Sequence, residues 1–265
     1  MNEEYGFEIG KEGQKSLEIF DKTFNEHTKY FLERHGLRSG MHILDIGCGL
    51  GLMTQYLAEK VGPTGSVTAI DNNENQIKAA AKRCPEQYRN TIKWVQMDVY
   101  DLANLGRKYD LVYCRFVLHH IFKPRAALQQ IYNILNDGGI YIGIEGIVNY
   151  AFSLPNHPGW QTPMLPIDTE EGEKRNSNIG KILSNLITET KMQCLNAEIF
   201  QPILLEKATR EMLLYAEVES KDYQIYSGLT TEYDWEKKIK ILQKAIDDLS
   251  VIIGFYAANF VAAKK

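Results

Sequence analysis

The stretch His42-Ile43-Leu44-Asp45-Ile46-Gly47-Cys48-Gly49-Leu50-Gly51 limits what this chain can fold into more than any other. Its apolar part is too short for a helix and carries β-branched Ile43 and Ile46, so it predicts a strand that ends beside a carboxylate. Gly47 and Gly49 let the backbone turn sharply and approach a ligand closely. After Gly51 the apolar residues Leu52, Met53, Tyr56, Leu57 and Val61 fall at helical spacing. A strand, a glycine turn and a helix N-terminus is where an α/β protein holds a nucleotide-like ligand. The plain alternative is a tight strand-to-helix turn with no ligand.

The glycine spacing narrows the ligand. A dinucleotide fingerprint needs a third glycine at position 52, and the chain has Leu52 there. Asp45 lies just ahead of the turn, where it would repel a pyrophosphate and suit a cationic ligand end such as an ammonium. Both features speak against a nicotinamide-dependent oxidoreductase, the first rival reading. The D-x-G-x-G pattern from Asp45 to Gly49, with Gly51 following, resembles the first motif of class I S-adenosylmethionine-dependent methyltransferases.

Further strands follow in order. Ser66-Val67-Thr68-Ala69-Ile70-Asp71 reads as the second, with Asp71 lying 20 residues after Gly51. In the resembled family a carboxylate there accepts from both ribose hydroxyls, with Asn72 beside it; the alternative is a helix cap, which the Asn72-Asn73-Glu74 run also suits. Ile92 to Asp98 alternates like a half-buried strand. The resemblance implies Asp98 as acceptor for an adenine amino group and the Val99 N–H as donor to a ring nitrogen. The alternative for Asp98 is a turn residue. Successive strands that end on carboxylates line up along the ligand crevice of an open parallel sheet.

Tyr109 to Cys114 reads as strand four and Ile140 to Glu145 as strand five, joined by a helix opening at Pro124 with apolar Leu128, Ile131, Tyr132 and Leu135. The segment Tyr109–Glu145 is similar to the family pattern, with Asp137 replacing the usual proline before Gly138-Gly139. The resemblance covers about Leu37 to Glu145. The lead-in, with Leu17, Phe20, Phe24 and Phe31 on a helix to about His35, looks like the small-molecule branch related to quinone-biosynthesis methyltransferases.

Beyond Glu145 the pattern changes. Residues 150–167 carry four prolines with Phe152, His157 and Trp160, which reads either as a lid or substrate wall or as an irregular surface loop. Helices are expected over Glu171–Thr190, Ala208–Val218 and a stripe from Trp235 to Leu249. A strand is expected over Cys194–Leu205, weakened by Pro202, and a last antiparallel strand within Val251–Ala262. The whole predicts an α/β fold: a Rossmann-like three-layer sandwich on a mostly parallel seven-stranded sheet with an antiparallel C-terminal strand. It reads as a single methyltransferase domain over residues 1–265, with an N-terminal helical cover at 1–40 and a lid or substrate elaboration around 150–190.

Composition sets the outer limits. At 265 residues and 44% hydrophobic content the chain can bury a sizeable core. A formal charge of −4 leaves no basic footprint for nucleic acid. No run reaches the ~18–20 apolar residues of a membrane span. The four scattered cysteines contain no C-x-x-C, so a reducing cytoplasm is expected and no metal framework.

By the resemblance, the ligand is S-adenosyl-L-methionine, leaving as S-adenosyl-L-homocysteine after direct displacement onto a small-molecule acceptor. Asp45, Gly47, Gly49, Asp71, Asn72, Asp98, Val99 and Arg115 are its expected contacts. By position at the strand ends, His119, His120 or Glu145 could deprotonate or orient an acceptor hydroxyl; the alternative is a structural histidine pair. A methyltransferase-like binding protein without turnover is the second rival.

Overall fold

Each apolar run that the sequence places ahead of a strand-end carboxylate is a strand in the computed structural model, which describes residues 11–157, 176–219, 221–226, 228–255 and 257–264. Strand β1 is His42–Ile46, β2 Ser66–Asp71, β3 Ile92–Gln96, β4 Tyr109–Arg115 and β5 Leu135–Gly146. Between them lie α2 (Leu52–Val61), α3 (Glu74–Arg83) and α4 (Pro124–Ile134), after the leading α1 (Lys11–Arg34). Later come β6 (Phe152–Leu154), α5 (Leu183–Glu189), β7 (Gln193–Phe200), α6 (Lys207–Glu219), α7 (Lys221–Tyr226), α8 (Glu232–Asp247), β8 (Ile252–Gly254) and β9 (Ala257–Ala263).

The main sheet has seven strands in the order β3-β2-β1-β4-β5-β9-β7. All neighbours from β3 to β5 pair in parallel, and β9 runs antiparallel between β5 and β7. The expected architecture is therefore the observed one. The strand order reverses between β1 and β4, and a reversal of this kind opens a crevice beyond the strand C-termini. The central strands bury Ile43, Leu44, Val67, Leu111, Val112 and Ile142 completely, as strands covered on both faces must.

The chain divides into two compact units. The larger comprises Asn25–Gly146, Ile167–Phe200 and Ala257–Lys265, and holds the sheet. Within it, α1 is tied to one sheet face by polar bonds at its Asn25–Arg34 half. Arg115 Nη1 donates to Asn25 Oδ1 (2.8 Å) and Thr28 Oγ1 (3.2 Å), Asn259 Nδ2 meets His27 Nε2 (2.7 Å), and Arg34 pairs with Glu198. Arg115, Ile144, Asn259 and Glu198 stand opposite one another on four adjacent strands, so they share a face and form one row under the helix. The apolar residues Phe31 and Leu32 are fully buried beside this row.

The smaller unit comprises Met1–Phe24, Ile147–Pro166 and Gln201–Tyr256. It contains α6, α7, α8 and the antiparallel pair β6-β8. Thr231 caps α8 by accepting from the Asp234 N–H. Arg210 is buried here and its guanidinium grips backbone carbonyls: Nε donates to Leu204 O (2.9 Å), Nη1 to Asp248 O (2.8 Å) and Nη2 to Val251 O (2.5 Å).

Local expectations needed adjusting at several places. The helix expected from Glu171 is a tight 3-10 turn at Ile179–Lys181 followed by α5; residues 171–175 lie outside the described part. Strand β7 stops at Phe200, two residues before Pro202, whose missing N–H cannot serve a ladder. Leu249 lies past the end of α8 and is exposed. The expected last strand is two pieces, β8 and β9. Helix α1 begins at Lys11, inside the polar stretch Tyr5–Gly13 whose glycines at 6, 10 and 13 suggest a loop. Residues 158–175, within the expected lid or substrate elaboration, fall outside the described part.

Replacing Arg210 by Met should strip three buried carbonyls of their donor. The expected cost is about 3–5 kcal/mol of unfolding free energy, since each orphaned buried group costs roughly 1–3 kcal/mol. Urea unfolding of the variant checks this, and a loss below about 1 kcal/mol would contradict the clamp.

Candidate functional site

The site is built at the C-terminal rim of the parallel strands, on either side of the reversal between β1 and β4. The β1 loop turns through three left-handed glycines: Gly47 has φ 67°, Gly49 φ 53° and Gly51 φ 74°. A Cβ on Gly47 would come within 2.2 Å of Val117 Cγ2, so the loops after β1 and β4 pack directly on each other. A Cβ on Gly49 would meet only the tip of Gln76, at 3.3 Å. Glycine at 49 is therefore required by the backbone conformation, and its missing side chain leaves main chain open to a ligand.

Asp71 ends β2 and is 8% exposed. Its Oδ2 accepts from the Gly49 N–H (3.1 Å) and its Oδ1 from the Asn73 N–H (3.0 Å). Burial pushes its carboxyl above the ordinary carboxylate range, against the pull of the N–H donors. The cap of α3 is Asn73, which accepts from the Asn75 and Gln76 N–H groups. Asp71 thus ties the glycine loop to β2 and is not itself the cap. Asn72 is exposed, and its carbonyl accepts from Gln96 Nε2.

Asp45 is 2% exposed, and its Oδ2 accepts from Thr54 Oγ1 at 2.6 Å. It lies beneath the loop and joins β1 to α2, a deeper position than its place in the sequence suggests. Asp98 accepts from the Tyr100 N–H (3.0 Å), which starts a 3-10 turn at Val99–Leu105. The Val99 amide stands at the N-terminal end of that turn, where N–H groups have no partner within the helix. Arg115 is turned toward α1 by its bonds to Asn25 and Thr28.

The three residues expected to act on an acceptor come together around one buried carboxylate. Glu145 is fully buried near the end of β5. Its Oε1 accepts from the Val117 N–H (3.0 Å) and the Leu118 N–H (2.7 Å), and its Oε2 lies 2.8 Å from His119 Nδ1. Phe116, with φ 55°, turns the chain there at a cost in backbone strain and swings these amides toward Glu145. A carboxylate only accepts, so against it Nδ1 is the donating ring nitrogen and Nε2 is the one that faces away from Glu145. The His120 ring lies 3.7 Å from that of His119, centre to centre. The Asn176 N–H holds the His119 carbonyl at 3.1 Å.

Sequence reasoning did not foresee Thr54, Phe116 or the backbone donors at 117 and 118. Thr54 carried a signal, since it lies on the first turn of the helix that follows the Asp45 strand. A strained phenylalanine carries none.

The donor set and the open glycine loop fit S-adenosylmethionine: carboxylates end successive strands, and exposed main chain lies between them. Comparison with known proteins agrees. The sequence profile of a methyltransferase domain matches residues 44–141. A demethylmenaquinone methyltransferase of Lactococcus lactis is 27% identical over 201 residues, covering 74% of this chain and 73% of that protein. An uncharacterized Synechococcus protein is 37% identical over 99 residues, 37% of this chain, and the chain spans only 24% of its length. Among solved structures, the (4+2)-cyclase SpnF shares the fold at a TM-score of 0.58 and 20% identity, over 90% of this chain and 80% of its own. From motif order, sheet order and these relatives together, residues 44–141 carry a methyltransferase domain of the class I S-adenosylmethionine-dependent kind.

Proposed function

We propose that the protein transfers a methyl group to a protic small-molecule acceptor, with His119 as general base and Glu145 as the residue that positions it. The observation that carries this reading is the buried Glu145 carboxylate, which takes two backbone N–H groups and His119 Nδ1. When bound, the sulfonium cofactor supplies a methyl group that is already activated. The chain's own task is then to align two reactants, which can remove ~7–11 kcal/mol of barrier, and to accept a proton.

In this reading Asp71 binds the ribose hydroxyls, Asn72 lies beside it, and Asp98 with the Val99 N–H reads the adenine edge. Gly47 and Gly49 let the methionyl part lie on bare main chain, with Asp45 beneath it and Arg115 toward α1. His119 Nε2 receives the proton that an acceptor hydroxyl or amine gives up. Glu145 fixes the tautomer and balances the imidazolium that results. The His120 ring lies tilted against this base.

A small acceptor suits the acidic chain, which offers no basic footprint. The Lactococcus relative is named for a small-molecule acceptor, demethylmenaquinone, and this reading likewise takes a small acceptor, one with a proton to lose. Among the described residues no helix is long and apolar enough to cross a membrane. The unpaired Cys48, Cys84, Cys114 and Cys194 suit a reducing cytoplasm. A nicotinamide reading is not favoured, because Leu52 removes the third glycine of its fingerprint.

Asp71→Ala should weaken S-adenosylmethionine binding by about 1–3 kcal/mol through lost hydrogen bonds to a charged group. Calorimetry reads this, and unchanged affinity would remove the ribose assignment. The pH behaviour follows from the raised carboxyl. Its contribution to folding is largest at acid pH and is lost as pH rises through the raised value, so ionised Asp71 is under burial strain. Ribose donors relieve that strain, so binding near the acid edge should release a proton, visible as buffer-dependent heat.

Glu145→Gln would put an N–H donor against His119 Nδ1 and favour the opposite tautomer. Labelled cofactor incubated with fractionated metabolites first identifies the acceptor. Turnover should then fall ~10²–10⁴-fold, the usual worth of a general base, with cofactor affinity unchanged. A variant that turns over at the parental rate would end the base assignment.

A further inference from the structure

A second cleft lies at the opposite edge of the same sheet, where β2, β3 and β4 begin. It has a volume of about 160 Å³ and is lined by Ser66, Thr68, Asn90, Lys93, Arg107 and Tyr109, among others. No aspartate or glutamate lines it, although the chain as a whole is acidic. Its two charged lining residues, Lys93 and Arg107, are both cations. It plays no part in methyl transfer as derived above.

Its floor carries two hydroxyls. Tyr109 is fully buried and Thr68 is 3% exposed, and their hydroxyls lie 3.1 Å apart. Two hydroxyls joined by one hydrogen bond use one proton between them and have a second left to donate. At the rim, Arg107 Nη1 reaches Ser66 Oγ at 3.5 Å and His42 Nδ1 reaches the same oxygen at 2.9 Å. The guanidinium also lies over the Tyr109 ring, 5.3 Å from its centre, which holds it at the cleft while leaving other N–H groups to point outward. One spare hydroxyl proton below, a braced Arg107 and a second cation at Lys93 suit a ligand that is anionic and rich in acceptors.

We propose that this cleft binds a small oxyanion of the phosphate class, either free or as the phosphoryl group of a small metabolite. Arg107 supplies the forked donors, Lys93 a second charge, and the Thr68–Tyr109 pair a hydroxyl at the floor. The site is independent of the cofactor crevice, because its residues come from the N-terminal ends of the strands.

The test titrates the full chain with inorganic phosphate against chloride at equal ionic strength, following amide chemical shifts and heat of binding. Saturable binding specific to phosphate is expected, with shifts around Ser66, Thr68 and Arg107. Arg107→Ala should weaken it roughly ten- to a hundredfold, the worth of a lost charge-assisted bond. Thr68→Val keeps the side-chain shape and removes the hydroxyl, and it should weaken phosphate binding as well. Both variants should retain parental affinity for S-adenosylmethionine, which shows that they are folded. Competition by glycerol phosphate identifies a phosphorylated metabolite as the occupant, and its absence identifies free phosphate. Phosphate that binds no better than chloride, or binds both variants as well as the parent, overturns the proposal.

Discussion

The carboxylates at the strand ends, Asp45, Asp71 and Glu145 buried and Asp98 half-buried, are the constraint on which the site's geometry depends. A carboxylate leaving solvent must find donors, and here each finds them in the segment that departs from or crosses the rim. Asp45 takes the Thr54 hydroxyl on α2, Asp71 the Gly49 and Asn73 amides, Asp98 the Tyr100 amide, and Glu145 the amides of Val117 and Leu118 with His119 Nδ1. Two of these sets of bonds tie a strand to the loop that leaves the strand before it. Asp71 on β2 holds the loop after β1, and Glu145 on β5 holds the loop after β4. Removing one carboxylate therefore loosens a loop belonging to its neighbour. A ligand that adds hydroxyl or amide donors to the same oxygens strengthens a set of bonds already in place, which is one route to a preorganised site.

The legible part of the fold was the part with a period or a stop. Strands β1 to β5 and α2 to α4 were readable because buried parallel strands are short apolar runs and the covering helices repeat every three to four residues. The region after Glu145 was harder. Pro202 marked a limit that β7 respects, yet the Glu171–Thr190 stripe of apolar residues suggested a long helix where the chain makes a tight turn and then the short α5. Buried Asn176, Ser177 and Asn178 interrupt that stripe, and the Asn176 side chain accepts from the Asn178 N–H. Such local side-chain bonds compete with helix formation.

The candidate site was legible as a set of residue types and not as a set of contacts. His119, His120 and Glu145 could be named from their places at strand ends. That Glu145 would turn inward and meet Nδ1 of the first histidine depends on Phe116 in a left-handed conformation. No propensity points to a bulky side chain there, because the local strain is offset by bonds that exist only after β4 and β5 have paired. For Asp45 likewise the residue was legible and its partner was not. Its position before the glycine turn suggested direct contact with a ligand, whereas Thr54 holds it beneath the loop.

The two ends of the sheet also differ in what they can bind. In a parallel α/β sheet the helices start at the strand C-termini, so α2, α3 and α4 present their positive N-terminal ends to the carboxylate rim and their negative ends to the opposite edge. Lys60 closes α2 and Lys82 with Arg83 closes α3, as that polarity favours. An anion at the far edge cannot use a helix N-terminus and must be held by side chains. Arg107, braced on Tyr109 and bonded to Ser66, meets that requirement where main-chain amides cannot. Conversely, a ligand with a positive sulfur and an ammonium is drawn to the carboxylate rim, so the fold keeps cationic and anionic ligands at opposite edges of one sheet.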